Sequence, residues 1–397
     1  MSPSTRHPVL RSLLLGAVFL ALGLPALAAD PPVLSFREER RWTLNFEVDV
    51  RHPSQRVYVD AEGFTRYTGV NNIRLNNAFV FAPVLESTGA HETHPDAMES
   101  ELRNDRGVID RSPTLLDGTP WLGRYARWQL GETETNFVRV TLRLPMTCRE
   151  TVLDERRAVN IAWPAGDWPA ELAECLRPQQ FIDSDSPEVR ALVDKWLDGN
   201  NPRNAAPMLV AKLITARTLE HFQPTGNGYE TNSRGRIEGF TLNGASAAAK
   251  DQRGSTFDMV CLLVAAWRAA GIPARPVIGY DKRDSDREGF PVYRAWAEFA
   301  LHDESDGRTE WIPVDIVRQR AFSSRAPRLD RAWDYFGNHE HLDYMLPIAF
   351  HFHPPVGVVA HGSPGLWGWM PSPRIPLVEQ ELRVFAFETP QRGGRRR

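Results

Sequence analysis

The stretch Thr256–Ala270 carries polar side chains only at Thr256, Asp258 and Arg268. A helix that is apolar on nearly every side must be enclosed by other elements, because no face of it suits water. This requirement limits the fold more than any other feature of the chain. Ser255 or Thr256 can cap the helix, and Asp258 sits in the first turn, where the helix dipole favours an anion. Gly271 suits the left-handed residue that ends a helix, and Pro273 forbids continuation. Pro187–Leu197 and Pro207–Phe222 also have helical patterning. Pro276–Tyr280, Val292–Leu301 and Trp311–Val317 read as strands, the last two flanking an Asp303–Gly307 turn. The expected architecture is α+β, with a central helix packed on an antiparallel sheet.

The preceding half has a different rhythm. Trp42, Leu44, Phe46, Val48 and Val50 alternate with mostly polar residues, the period of a half-buried strand. Similar runs recur at Val57–Val59, Phe79–Phe81, Tyr125–Leu130, Phe137–Leu144 and Val159–Trp163, separated by turn-forming residues. They predict an antiparallel β-sandwich-like domain. Trp163, Trp168, Trp367 and Trp369 lie in Pro- and Gly-rich segments, where indoles either pack loops onto the core or stack on a ligand. Tyr229–Gly254 is rich in Gly, Ser and Asn and reads as a long loop.

Residues 1–28 have the three regions of a secretory signal peptide: Arg6, His7 and Arg11, an uncharged apolar run Leu13–Leu24, and Ala26-Leu27-Ala28 before the cleavage point. The apolar run falls well short of the ~20 residues a membrane-spanning helix needs. The expected product is periplasmic or secreted after cleavage near Ala28. The remaining expected divisions are residues 29–187 (β-rich), 188–345 (the mixed domain) and 346–397, an extension ending in the basic tail Gly393–Arg397. With 47 Lys+Arg against 50 Asp+Glu, the chain lacks the basic excess of a nucleic-acid binder. Its 42% hydrophobic content excludes a disordered chain. An exported protein meets an oxidising environment, so a Cys148–Cys175 disulfide is expected, worth roughly 3–4 kcal/mol in the chain-entropy model.

Four short motifs carry a family resemblance. They are Gly271-Ile272-Pro273-Ala274-Arg275 with Val277-Ile278-Gly279-Tyr280, then Ala295-Trp296-Ala297-Glu298, then Trp311-Ile312-Pro313-Val314-Asp315, then Tyr335-Phe336-Gly337-Asn338. In this order and spacing they resemble the transglutaminase-like superfamily over about residues 190–345. The resemblance implies a papain-like fold with a Cys at the N-terminus of the core helix, a His on one strand and an Asp on the next. A thiolate at a helix N-terminus is stabilised by the dipole, His serves as its base and the Asp orients the His.

Carried onto this chain, those three positions fall on Thr256, Arg294 and Asp315. A threonine hydroxyl needs a base to act as a nucleophile, and arginine stays protonated in proteins. Losing the nucleophile or base of such a unit removes on the order of a millionfold in rate. The expectation is a pseudoenzyme that binds a peptide, protein or cell-envelope component without turning it over. The alternative is an active peptidase or acyltransferase using Thr256 or Cys261, although Cys261 lies well inside the apolar helix. Arg294 and Asp315, about equally distant from the hairpin turn, are expected to face each other as an ion pair. His339 and His341, and His351 and His353, are two apart and could each share a strand face, and His91 and His94 are three apart, but no carboxylate or cysteine at diagnostic spacing completes a metal site. Neither a metal nor a cofactor is expected.

Overall fold

The computed structural model describes residues 31–52, 56–62, 64–68, 72–85, 87–116, 123–232, 237–323, 325–352, 366–374 and 378–389. The signal-peptide residues 1–28, His353 and the basic tail lie outside them.

Alternation becomes a sheet in the first half. Leu34–Arg51 pairs antiparallel with Phe137–Leu153, in a register that sets Leu44 opposite Leu144 and Val48 opposite Val140. Trp42, Leu44, Phe46, Val48 and Val50 are all buried, as the period of two requires. Phe137–Leu153 pairs on its other side with Glu99–Asn104 and, further along, with His91–Thr93. Leu34–Arg51 takes Glu379–Glu388 as its second neighbour, where Arg51 meets Glu379 at 2.9 Å and Glu381 at 3.0 Å. A hairpin, Tyr229–Thr231 with Ile237–Phe240, extends the same sheet beyond Glu379–Glu388. A four-stranded antiparallel sheet runs Gly368–Ser372, Asn77–Pro83, Tyr125–Leu130, Thr114–Leu116. Val80, Trp128 and Leu130 from it join Leu44 and Val48 in one apolar cluster. The segment after residue 345 thus supplies a strand to each of these sheets, and the chain from Pro32 onward forms one compact unit.

The core helix, Thr256–Ala269, is enclosed as its composition demands. Every residue from Phe257 to Arg268 is buried. It contacts the helices Pro187–Trp196, Pro207–His221 and Ala245–Asp251, and the strands Ala274–Asp281 and Tyr293–Asp303. Burying each of its large apolar side chains contributes ~1.5–3 kcal/mol. Its polar residues are satisfied where they stand: Arg268 donates to the carbonyls of Ala274 at 2.8 Å and Arg177 at 2.7 Å. At its end, the Ile272 N–H reaches the Trp267 carbonyl and the Gly271 N–H that of Arg268, both at 2.9 Å. This paired closure requires the left-handed backbone of Gly271, at φ +85°. The adjoining antiparallel sheet has the order Arg308–Val314, Tyr293–Asp303, Ala274–Asp281, Met345–Ala349. The architecture is α+β, with antiparallel sheets throughout the larger assemblies.

Several expectations are corrected. Val159–Trp163 is not a strand. Asp154 caps a short helix, Glu155–Ala158, and the chain then runs irregularly until the Trp163 indole donates to the Ala205 carbonyl at 2.6 Å. The Tyr229–Gly254 segment is not a structureless loop, since it holds the hairpin and the helix Ala245–Asp251. Of the two readings open to the tryptophans, packing onto the core is the one that holds for Trp168, Trp367 and Trp369. The Cys148–Cys175 disulfide is absent: Cys148, Cys175 and Cys261 are all buried free thiols. Cys148 lies within a continuous strand of the first sheet, whereas Cys175 ends the short helix Ala170–Glu174 beside the mixed domain.

Candidate functional site

The start of the core helix is fixed by a reciprocal cap. Ser255 Oγ accepts the Asp258 N–H at 3.1 Å, and Asp258 Oδ2 accepts the Ser255 N–H at 2.9 Å. Asp258 Oδ1 accepts the N–H groups of Asn243 at 2.8 Å and Gly244 at 2.9 Å. A carboxylate surrounded by donors at a helix N-terminus is strongly favoured. Thr256 follows as the first helical residue. Its hydroxyl donates to the Asn227 carbonyl at 2.8 Å, and its N–H donates to the Gly226 carbonyl at 3.0 Å. The strap Gly226–Gly228 crosses the helix end so closely that a Cβ on Gly228 would stand 2.7 Å from Ser255 Oγ.

Arg294 lies on Tyr293–Asp303, opposite Gly279. Its Nε donates to Asp281 Oδ2 at 2.8 Å, and a terminal nitrogen bonds Asp284. Asp281 caps the helix Lys282–Glu288, with Asp284 in its first turn. Arg318 donates to the same Asp281 oxygen at 2.7 Å and lies 3.5 Å from Asp284. The two guanidiniums and two carboxylates therefore interlock. Burial opposes the charge of Arg294, but the hydrogen bond to Asp284 and the charges of Asp315 and Asp281 hold its pKa above the ordinary value. Burial also works against Asp284, and Arg294 reverses that, leaving the carboxyl below its ordinary value.

Asp315 stands behind this network and is buried. Its Oδ1 caps the helix Ile316–Phe322 through the Arg318 N–H at 2.9 Å. Its Oδ2 faces His339 Nε2 at 3.2 Å. His339 Nδ1 accepts the His341 N–H at 3.2 Å, so the proton on His339 is assigned to Nε2, which donates to Asp315. Burial raises the cost of the Asp315 charge, but His339, followed by Arg318, holds its pKa below the ordinary value.

Thr256 and Arg294 line one cleft of about 250 Å³, together with Asn227, Arg287, Phe290 and Tyr293. Among the described residues lining it there is neither a histidine nor a cysteine. Tyr229 forms part of its wall, stacked edge-on against Tyr293 with ring centres 5.4 Å apart. Asp315 is not among the lining residues.

The expected Arg294–Asp315 ion pair does not form. The register sets Ala297 opposite Val314, and the partner strand ends there. Arg294 projects past that end, while Asp315 has already turned to cap the next helix. Cys261 is fully buried, and burial, then the nearby Asp258 charge, pushes its thiol well above the ordinary value. Burial of this kind works against a thiolate there.

Sequence reasoning missed Asp281, Asp284, Arg318 and His339. The Asp-x-x-Asp spacing after a predicted strand is a helix-start signal that could have located the first two. His339 was visible only as one of a spaced histidine pair, with nothing to connect it to Asp315.

Residues 226–316 match the family model of the Transglutaminase-like superfamily. The chain is similar in fold to a protein described as a candidate cysteine protease from Cytophaga hutchinsonii: TM-score 0.51, 14% identity, 91% of this chain and 94% of that one covered. A weaker likeness, TM-score 0.26 at 15% identity over 72% of this chain and 92% of the other, is to the periplasmic domain of TgpA from Pseudomonas aeruginosa bound to ethylmercury. No curated protein matches the sequence.

Proposed function

From a transglutaminase-like core in which Thr256 and Arg294 share one cleft, we propose that this chain is a non-catalytic member of the superfamily. It is exported and binds a peptide, protein or other cell-envelope component in that cleft. One observation carries the reading: the position expected to hold the catalytic base is Arg294, fixed between Asp281 and Asp284. Both carboxylates favour its protonated form, so it cannot take a proton from Thr256. The Thr256 hydroxyl is itself engaged with the Asn227 carbonyl. The family Cys–His–Asp unit is thus replaced by Thr256, Arg294 and Asp315, with Asp315 serving His339 and the neighbouring helix.

The cleft retains features of a binding site. Phe290, 49% exposed, gives an apolar contact at its edge, and Arg287, paired with Asp284 and Glu288, gives an exposed cationic rim. A photo-crosslinking amino acid in place of Phe290 tests the reading in the compartment where the protein resides. The expected result is a discrete peptide, protein or envelope adduct that disappears when Asn227→Trp fills the cleft. No adduct, or one unaffected by the filled cleft, contradicts binding there. Among the described residues no helix is long and apolar enough to cross a membrane.

A further inference from the structure

A second group of side chains lies where the first sheet meets the Leu342–Tyr344 turn. Glu150 comes from Phe137–Leu153, and His341 and Asp343 come from the turn and the residue before it. One ligand atom from each lies within 4.8 Å of the other two. Asp343 is 1% exposed, and its two oxygens have different environments. Oδ2 accepts the Arg40 Nε–H at 2.7 Å, whereas Oδ1 is buried and has no hydrogen-bond partner among the described residues. A buried carboxylate oxygen facing no donor costs about 1–3 kcal/mol, more when charged, so its persistence calls for a counter-group.

We infer that Glu150, His341 and Asp343 form a divalent-cation site of the zinc class. Imidazole with two carboxylates gives three N/O ligands and leaves one position for water, a pattern zinc accepts. Calcium instead takes about 6–8 oxygen ligands, more than these three side chains supply. Tetrahedral ligands about 2.0–2.2 Å from zinc stand roughly 3.4 Å apart, so the group closes on an ion with side-chain movements of about 1 Å. Arg40 fits the role of the outer partner that orients a ligating carboxylate.

The site would fasten the strand bearing Glu150 to the segment whose His339 holds Asp315. It makes no use of Thr256 or Arg294 and stands apart from the binding proposal. The test is calorimetric titration of metal-stripped mature protein with ZnCl2, MnCl2 and CaCl2, repeated on Glu150→Gln and His341→Ala. Among the described residues the Glu150 and His341 side chains have no hydrogen-bond partner, so neither variant removes a known structural tie; circular dichroism checks that each folds. The expected result is one zinc per chain, a Kd at least ~10-fold weaker in each variant, and a zinc-dependent rise in Tm lost from both. Absence of saturable zinc binding, binding unchanged in either folded variant, or a preference for calcium would overturn the assignment.

Discussion

Replacing Arg294 by alanine tests whether the cleft is held by an ion network. In the native chain Arg294 is 26% exposed, and its partners Asp281 and Asp284 are 0% and 5% exposed. Breaking a buried pair typically costs 3–5 kcal/mol, roughly, because the remaining charge is left in a poor medium. Arg318 still reaches both carboxylates, at 2.7 and 3.5 Å, so the loss is set lower, at about 2–4 kcal/mol. An unfolding entropy of ~2.1 cal/mol/K per residue converts this to a fall in Tm of about 2–5 °C for a chain of this length. Arg294→Met, which keeps much of the stem, separates lost charge from lost packing. Acid gives the sign. Asp284 is held below its ordinary value of 3.8, so its contribution is present above that value and disappears as pH falls through the lower folded pKa. The gap between wild type and either variant therefore holds down to about pH 4 and narrows as pH falls below 3.8. Thermal unfolding followed by circular dichroism across that range is the assay. Equal stability at neutral pH, or a gap that widens in acid, would refute the reasoning.

Other expectations follow from single contacts. Asp258→Ala removes the acceptor for four hydrogen bonds at the start of the core helix; urea unfolding should show a loss of about 2–4 kcal/mol, and a loss below about 0.5 kcal/mol would count against the cap. Asp315→Asn keeps the side-chain shape but gives up the charge that His339 and Arg318 stabilise. It should cost about 1–3 kcal/mol at neutral pH, with the difference vanishing well below pH 3.8. Thiol titration of unreduced protein in denaturant should find all three cysteines, with negligible reaction before unfolding; recovery of only one would restore the disulfide.

The core helix was legible because its evidence is local. Composition around Thr256–Ala270 demanded enclosure, and Ser255, Asp258 and Gly271 are each placed by bonds within a few residues. The first sheet was legible as strands but not as a sheet. Nothing in Leu34–Arg51 specifies that Glu379–Glu388 will pair with it, because that register depends on distant packing. The Arg294 error came from the same source. Counting outward from a turn gives opposition only while both chains remain extended, and Asp315 leaves the strand to cap a helix. The expected Cys148–Cys175 disulfide, which does not form, shows that spacing gives loop length but not whether two Cβ atoms converge. The histidine pair at 339 and 341 was visible, yet its two members have separate surroundings: His339 serves Asp315, and His341 faces Glu150 and Asp343. Glu150 arrives from another sheet, so no local spacing could have joined the three.

The central claim is that the cleft containing Thr256 and Arg294 binds without chemistry. The most direct measurement compares wild-type mature protein with Thr256→Ala in peptide hydrolysis and amine-incorporation assays, using a fluorogenic peptide library and a labelled amine donor. Both proteins are expected to remain at the rate of buffer alone. Turnover by the wild type that is abolished in Thr256→Ala would contradict the claim and make Thr256 a nucleophile.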